Sequence, residues 1–225
     1  MDWRRADGTV LVVVLAATLL LSAVTTAMVV ASSSEVMIAD NFRRAMEALD
    51  AADAAAERAL GDLVAVPQWD DVLGGGMRST FVDGPPLGAR TLPDGSPLNL
   101  ERVVALANCR RASGCSGADM DMVTSERPWG RNNPRWQPYA YGRLADLLPG
   151  RVDSPYYVLV MVGDDPSETD QDPLHDGGGG PAAGAGALLV RAEAFGPRSA
   201  HRVVELVVQR TSTAHLRIVS WCAVR

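Results

Sequence analysis

Between Thr9 and Ala31 the chain runs for 23 residues without a charged side chain, and 18 of those residues are apolar. At roughly 1.5 Å of rise per residue, such a run makes about 35 Å of helix, enough to cross the hydrocarbon core of a bilayer. The helix that this predicts does not end with the apolar run. No glycine or proline occurs from Thr9 to Leu60, and the stretch 32–64 is rich in Ala, Glu, Arg and Met, which are good helix formers. Phe42, Ala45, Met46, Leu49, Ala52, Ala56, Ala59, Leu60 and Leu63 recur at steps of three and four, which makes one apolar stripe. Asp40 with Arg44, and Arg43 with Glu47, stand four residues apart and support the helix further. Gly61 and Pro67 punctuate its end. The expectation is one helix of over fifty residues, apolar all round in its first half and amphipathic in its second.

The opening MDWRRADG ends in a glycine set directly against the apolar run. Three readings compete. A secretory signal peptide would be cut after Ala31, where Val29-Val30-Ala31 offers a small-residue site, but the apolar run is longer than the usual signal core. A plain signal anchor would keep every residue. A prepilin leader would be cut between Gly8 and Thr9, leaving the apolar segment as the mature N-terminus. Charge does not choose an orientation, since Arg4 and Arg5 precede the span and Arg43 and Arg44 follow it. The unbroken continuation into an amphipathic helix favours the third reading, because a cleaved signal peptide has no reason to run on in this way.

Taken together, these residues resemble the start of PilX-type minor pilins of type IV pilus systems. In that family an acidic residue, a small-residue–Asn step and an alanine-rich run with an embedded acid follow the span. Glu35, Asn41, Phe42 and Ala51-Ala52-Asp53-Ala54-Ala55 stand at the matching places. The resemblance covers about residues 5–60. It implies processing between Gly8 and Thr9 with methylation of the new terminus. Most major pilins carry a glutamate at the fifth mature position, where this chain has Val13. PilX-like proteins lack that glutamate too, as does the tip pseudopilin of type II secretion. The resemblance therefore implies a minor structural subunit with no enzymatic activity and no cofactor, which primes pilus assembly and stands near the tip. Its partners would be other minor and major pilins and a large tip adhesin, with inner-membrane lipid around the apolar half before assembly. The implied location is the inner membrane, single-pass, with a periplasmic globular domain that becomes extracellular in a pilus. A minor pseudopilin of type II secretion and a membrane-anchored periplasmic binding or adhesion module stay open as alternatives.

The net charge of −6 argues against nucleic acid as a partner, because phosphate binding needs a basic face and no Lys/Arg block exists beyond pairs such as Arg43-Arg44 and Arg110-Arg111. Cysteine usage is more informative. Cys109 and Cys115 bracket the polar stretch CRRASGC, which in an oxidising compartment can close as a local disulfide. The alternative is a pair of free thiols in a mobile loop; a metal site is disfavoured because no His or further Cys lies close in sequence. Cys222 is left over. It shares alternation parity with Leu216 and Ile218 in an expected strand, which predicts a buried, inert thiol.

From Val66 to Gly150 glycine and proline are frequent and periodicity is weak, so loops are expected, with brief helices at Leu98–Leu106 and Tyr139–Leu147. Trp69, Trp129 and Trp136, with Tyr139 and Tyr141, offer either a ligand-stacking surface or loop anchors over the core. The anchor reading is the default, since Trp is largely buried on average. From Tyr156 the pattern turns to β. Tyr156–Val162, Ala187–Phe195, Val203–Arg210 and Leu216–Cys222 are rich in branched and aromatic residues, and the middle two alternate apolar with polar positions. Short links at Gly196–Ala200 and Thr211–Ala214 suit hairpins. The expected fold class is α+β: the long N-terminal helix, membrane-spanning in its first half and amphipathic in its second, packed on an antiparallel sheet of about four strands. The parts are a leader (1–8), an apolar helix half (9–31), an amphipathic helix half (32–65), a loop-rich insertion (66–150) and a sheet region (151–225). Tyr156-Tyr157-Val158, Leu188–Gly196 and Ile218-Val219-Ser220-Trp221 resemble, more weakly, the paired and terminal strands of the same pilin family.

Between the first two expected strands lies GDDPSETDQDPLHDGGGG. Asp170, Asp172 and Asp176, beside Asp164, Asp165 and Glu168, gather oxygen atoms that suit calcium, yet the spacing lacks the EF-hand order. A solvated acidic hairpin loop is the favoured reading, and no metal site is assigned. No catalytic constellation stands out. His175, His201 and His215 are dispersed, none of the nucleophile, zinc or phosphate motifs occurs, and the glycine tetrad Gly177–Gly180 follows an acidic loop and not a strand.

Overall fold

The computed structural model describes residues 4–147, 150, 153–177, 184, 186–212 and 215–224. Helix α1 (Arg4–Ala65) is continuous over 62 residues. It stops where the sequence expects, since the residue before Pro67 is pushed out of the helical region. Gly61 does not end it. The chain divides after Arg43 into two compact units. In the first, every helical residue from Gly8 to Ala39 is exposed, and Leu19, Leu20, Leu21, Val29 and Val30 present their side chains uncovered.

The second unit begins at Arg44 and is layered. Its central sheet has five strands in chain order, all antiparallel: β3 (Gln137–Arg143), β4 (Tyr157–Asp164), β5 (Ala187–Gly196), β6 (Ala200–Ser212) and β7 (His215–Val224). Four of these follow the expected runs. β3 corrects the expectation of a helix at Tyr139–Leu147: only Leu144–Leu147 is helical, as α5 after the short helices α2 (Asp70–Leu73), α3 (Leu100–Cys109) and α4 (Gly117–Met120). Two tyrosines suit 137–143 to a strand, whose five central residues are all buried, and Pro138 stands at its start beside a bulge, where its missing N–H costs no ladder bond. The sheet region therefore begins inside the span read as an insertion.

The helix segment from Arg44 to Ala65 covers one face of the sheet. Ala48, Ala51, Ala52, Ala55, Ala56, Ala59 and Leu63 are buried against Val158, Val160, Val190, Ala192, Val204 and Leu206. The amphipathic stripe is thus real but rotated: Leu49 and Leu60 are half-buried at its margins, Met46 is exposed, and Phe42 is 67% exposed. Alanines win the contact because their short side chains let a helix backbone approach a sheet of branched residues at close-packed density.

The other face of the sheet is covered as well, and this departs from the single dry face expected. A hairpin of β1 (Ala89–Thr91) and β2 (Pro97–Asn99) leads into α3 (Leu100–Cys109), which is capped by Asn99 accepting from the Arg102 amide at 3.0 Å. Leu92, Leu98, Leu100 and Trp136 pack there on Tyr141, Tyr157, Leu159 and Met161. Every residue of β4 is consequently buried, which its near-continuous apolar run already signals. The outer edge of β3 is closed by 79–83, through Ser79 N–H to Tyr139 O at 3.0 Å and Tyr141 N–H to Phe81 O at 2.9 Å.

β7 corrects a second expectation. Val208 faces Ile218, but Val207 faces Ser220, so Val219 is an extra residue in the ladder. That bulge inverts the alternation beyond it. Ile218 and Trp221 lie beside Val208 and Leu206 on the helix side, whereas Cys222 pairs with Glu205 and is exposed. The buried thiol predicted from parity is therefore wrong.

Candidate functional site

The residues singled out from sequence fall into three places. The first is the apolar part of α1, the one helix among the described residues long and apolar enough to cross a membrane. Its hydroxyl side chains donate back to the preceding turn: Thr18 to Leu15 O at 2.9 Å, Thr26 to Ser22 O at 2.8 Å, Ser33 to Val30 O at 2.8 Å and Ser34 to Val30 O at 3.0 Å. The polar hydrogens of these four side chains are thus satisfied within the helix, which suits residence in lipid. Charge returns with Glu35 and with the Asp40–Arg43 pair at 3.0 Å. Gly8 and Thr9 lie within the helix, and a Cβ at Gly8 would meet nothing within 4 Å. The backbone does not call for glycine there, although glycine in a helix costs about 1 kcal/mol relative to alanine.

The second place is the end of α3. Arg110 adopts the left-handed conformation directly after the helix and turns the chain, and Cys109 and Cys115 are joined by a disulfide with Cα atoms 5.8 Å apart. The segment beyond is tied down. Arg127 donates to the carbonyls of Ala107, Met120 and Pro134, Asn108 exchanges two hydrogen bonds with the backbone of Trp136 at 2.8 and 3.0 Å, and Arg111 pairs with Asp119 at 2.8 Å. Trp69 and Trp136 are buried as anchors, as are Tyr139 and Tyr141, and Arg210 lies over the Trp69 ring at 4.3 Å. Trp129 alone of these aromatics is exposed. No aromatic stacking surface is assembled from them.

The third place is the acidic segment after β4, where the structure departs from a solvated loop. Asp164 is 4% and Glu168 2% exposed, while Asp170 and Asp172 are exposed and fold onto their own backbone. Asp176 accepts from the Gly186 amide at 2.7 Å, and its own N–H donates to Asp70, which also holds His175 at 2.7 Å. Burial first, and then the neighbouring Glu168 charge, push the Asp164 carboxyl up to about 8. Burial likewise raises Glu168 and Asp176. Among the described residues no three His, Cys, Asp or Glu side chains converge as a metal cage, the candidates Asp170, Asp172 and Asp176 included.

The histidines stay apart. His201 stacks on Phe195 at 4.7 Å and meets Glu193 at 2.8 Å, and Glu193 also holds Arg191 at 2.6 Å. Arg191 is paired in addition with Glu205. His215 meets Ser212 at 3.0 Å on the exposed hairpin between β6 and β7. The first is a packed ionic network across β5 and β6 without a nucleophile, and the second is a serine–histidine contact without an orienting acid among the described residues. Comparisons of the chain with family models, curated proteins and solved structures return no match.

Proposed function

We propose that this chain is a minor pilin: a membrane-inserted structural subunit that takes part in priming and assembling a type IV pilus and stands near its tip. The observation that supports the reading best is α1, one uninterrupted helix that is apolar and uncovered over its first half and whose last part forms one layer of a sheet domain. In the membrane the first half is solvated by lipid. In a filament the same surface packs against the apolar helices of other pilins, held by dispersion and by burial of its continuous Val/Leu surface. With Val13 in place of a glutamate, no carboxylate enters hydrocarbon and none needs a cation from a neighbouring subunit. Gly8 fits the same account, as a glycine that the helix does not require but a peptidase would. The sheet domain faces the periplasm, and an oxidising compartment suits the Cys109–Cys115 bond.

Shearing the cell surface tests this. The chain should be found in the sheared filament fraction at a small fraction of the major subunit, and deleting its gene should sharply lower filament number. Retention of all the protein in membranes, with filaments unchanged by the deletion, would contradict a pilus role and leave the anchored binding module as the better reading.

A further inference from the structure

Asp164 closes strand β4 on the side facing α1, and Glu168 lies one turn further along the chain. Among the described residues the Asp165 N–H serves Asp164 and the Gly177 N–H serves Glu168. The remaining oxygens, Asp164 Oδ1 and Glu168 Oε2, are buried and have no hydrogen-bond partner. Neither residue has an ion pair among the described residues. Of the cationic groups nearby, His175 acts on Glu168 from a distance but is held by Asp70 at 2.7 Å, and Arg210 donates to the carbonyls of Val66 and Pro67 at 2.8 and 2.7 Å and lies over Trp69. Asp170 and Asp176 add negative potential to both carboxylates.

Two adjacent carboxylates withdrawn from water, without an ion pair among the described residues and with an oxygen each unsatisfied, are strongly unfavourable as they stand. A single proton would neutralise one and leave the other charged. A hard divalent cation neutralises both and takes up both free oxygens at once. We propose that Asp164 and Glu168 are the side-chain ligands of a calcium ion at the end of the sheet, with backbone carbonyls of the 164–177 loop and water completing the shell. Calcium fits better than magnesium because it tolerates an irregular mixture of carboxylates, carbonyls and water at 2.3–2.6 Å, whereas magnesium demands a near-ideal octahedron. Two carboxylates are a low ligand charge, which places the affinity in the range of extracellular modules, a dissociation constant of about 0.1–1 mM. The site is independent of the pilus reading: it needs only exposure of this domain to a calcium-rich compartment.

The test uses the full chain in detergent, stripped with EGTA and titrated with CaCl2 or MgCl2 while thermal unfolding is followed. The native chain should gain several degrees in midpoint with CaCl2, saturating near millimolar, and much less with MgCl2. Asp164→Asn and Glu168→Gln should melt above the stripped native chain, because each removes a buried like charge, yet lose the calcium response. Asp172→Asn, an exposed carboxylate of the same loop, should respond like the native chain. As a readout that needs no variant, terbium bound at the site should be sensitised by Trp69, which is buried with Val162 and Leu188 on the sheet face that Asp164 shares, and be displaced by calcium. A midpoint unmoved by calcium, an equal response in the Asp164 and Glu168 variants, an equal response to magnesium, or terbium emission that calcium does not displace would each overturn the assignment.

Discussion

Gly196 makes room for the ring of Tyr156: a Cβ at Gly196 would overlap Cδ1 and Cε1 of the tyrosine. Seated there, Tyr156 donates its hydroxyl hydrogen to the Arg44 carbonyl at 3.0 Å, with Glu47 Oε2 at 3.2 Å. The start of β4 and the end of β5 are thereby joined to the helix at the point where its covered segment begins. Gly196→Ala should displace the ring and cost about 1–3 kcal/mol by overpacking. Tyr156→Phe keeps the ring and should cost about 1 kcal/mol for the lost hydrogen bond. Chemical unfolding of the two variants checks the order. A Gly196→Ala chain as stable as the parent would show that the ring is not seated there.

The rotated contact face of α1 gives the second prediction. Ala52 has no exposed surface, whereas Met46 is 41% exposed on the same helix. Ala52→Asp buries an unpaired carboxylate against β-strands and should cost about 3 kcal/mol or more. Met46→Asp should stay within about 0.5 kcal/mol. Thermal unfolding of both, side by side, decides. Equal losses would mean that the alanine face is not the one seated on the sheet.

A third prediction concerns acid. Burial alone would raise the Glu193 carboxyl, but its contacts with His201 and Arg191 outweigh burial and hold it below the usual glutamate range. A carboxylate whose folded pKa is depressed contributes stability above its unfolded pKa, and that contribution is lost as pH falls through the folded value. Stability should therefore decline from about pH 4.5 downward, and Glu193→Gln should flatten that decline while costing about 2–3 kcal/mol at neutral pH. Arg191 keeps Glu205 in that variant, which limits the loss. Unfolding midpoints between pH 3 and 7 measure both. A variant with the same acid limb as the parent would place the acid sensitivity elsewhere.

Much of the architecture was legible. The apolar run, its unbroken continuation to Ala65 and four of the five strands follow from helix formers, periodicity and β-branched runs. Where reading failed, a second physical term had overridden a local pattern. Tyr139 and Tyr141 stand in a strand because the apolar β4 next to them needed a partner on its open side, a pairing that no window of sequence contains. Cys222 followed a correct alternation until the bulge at Val219 inverted it. Phe42 and Met46 look like the natural anchors of a stripe, yet the sheet selected alanines for close approach. The acidic segment read as a solvated loop because its carboxylates are dense in sequence, although Asp164 ends a strand that is buried on both faces.

The central claim is that the apolar half of α1 is the mature end of a pilin-like subunit, and the N-terminus of the protein isolated from membranes tests it most directly. N-terminal sequencing with intact mass should find Thr9 as the first residue, carrying one methyl group, when the prepilin peptidase is present. Gly8→Val should leave the chain uncut, because a β-branched side chain is unsuited to a position where the peptidase takes glycine. A protein that starts at Ser32, or that keeps residues 1–8 in the presence of the peptidase, would contradict the account.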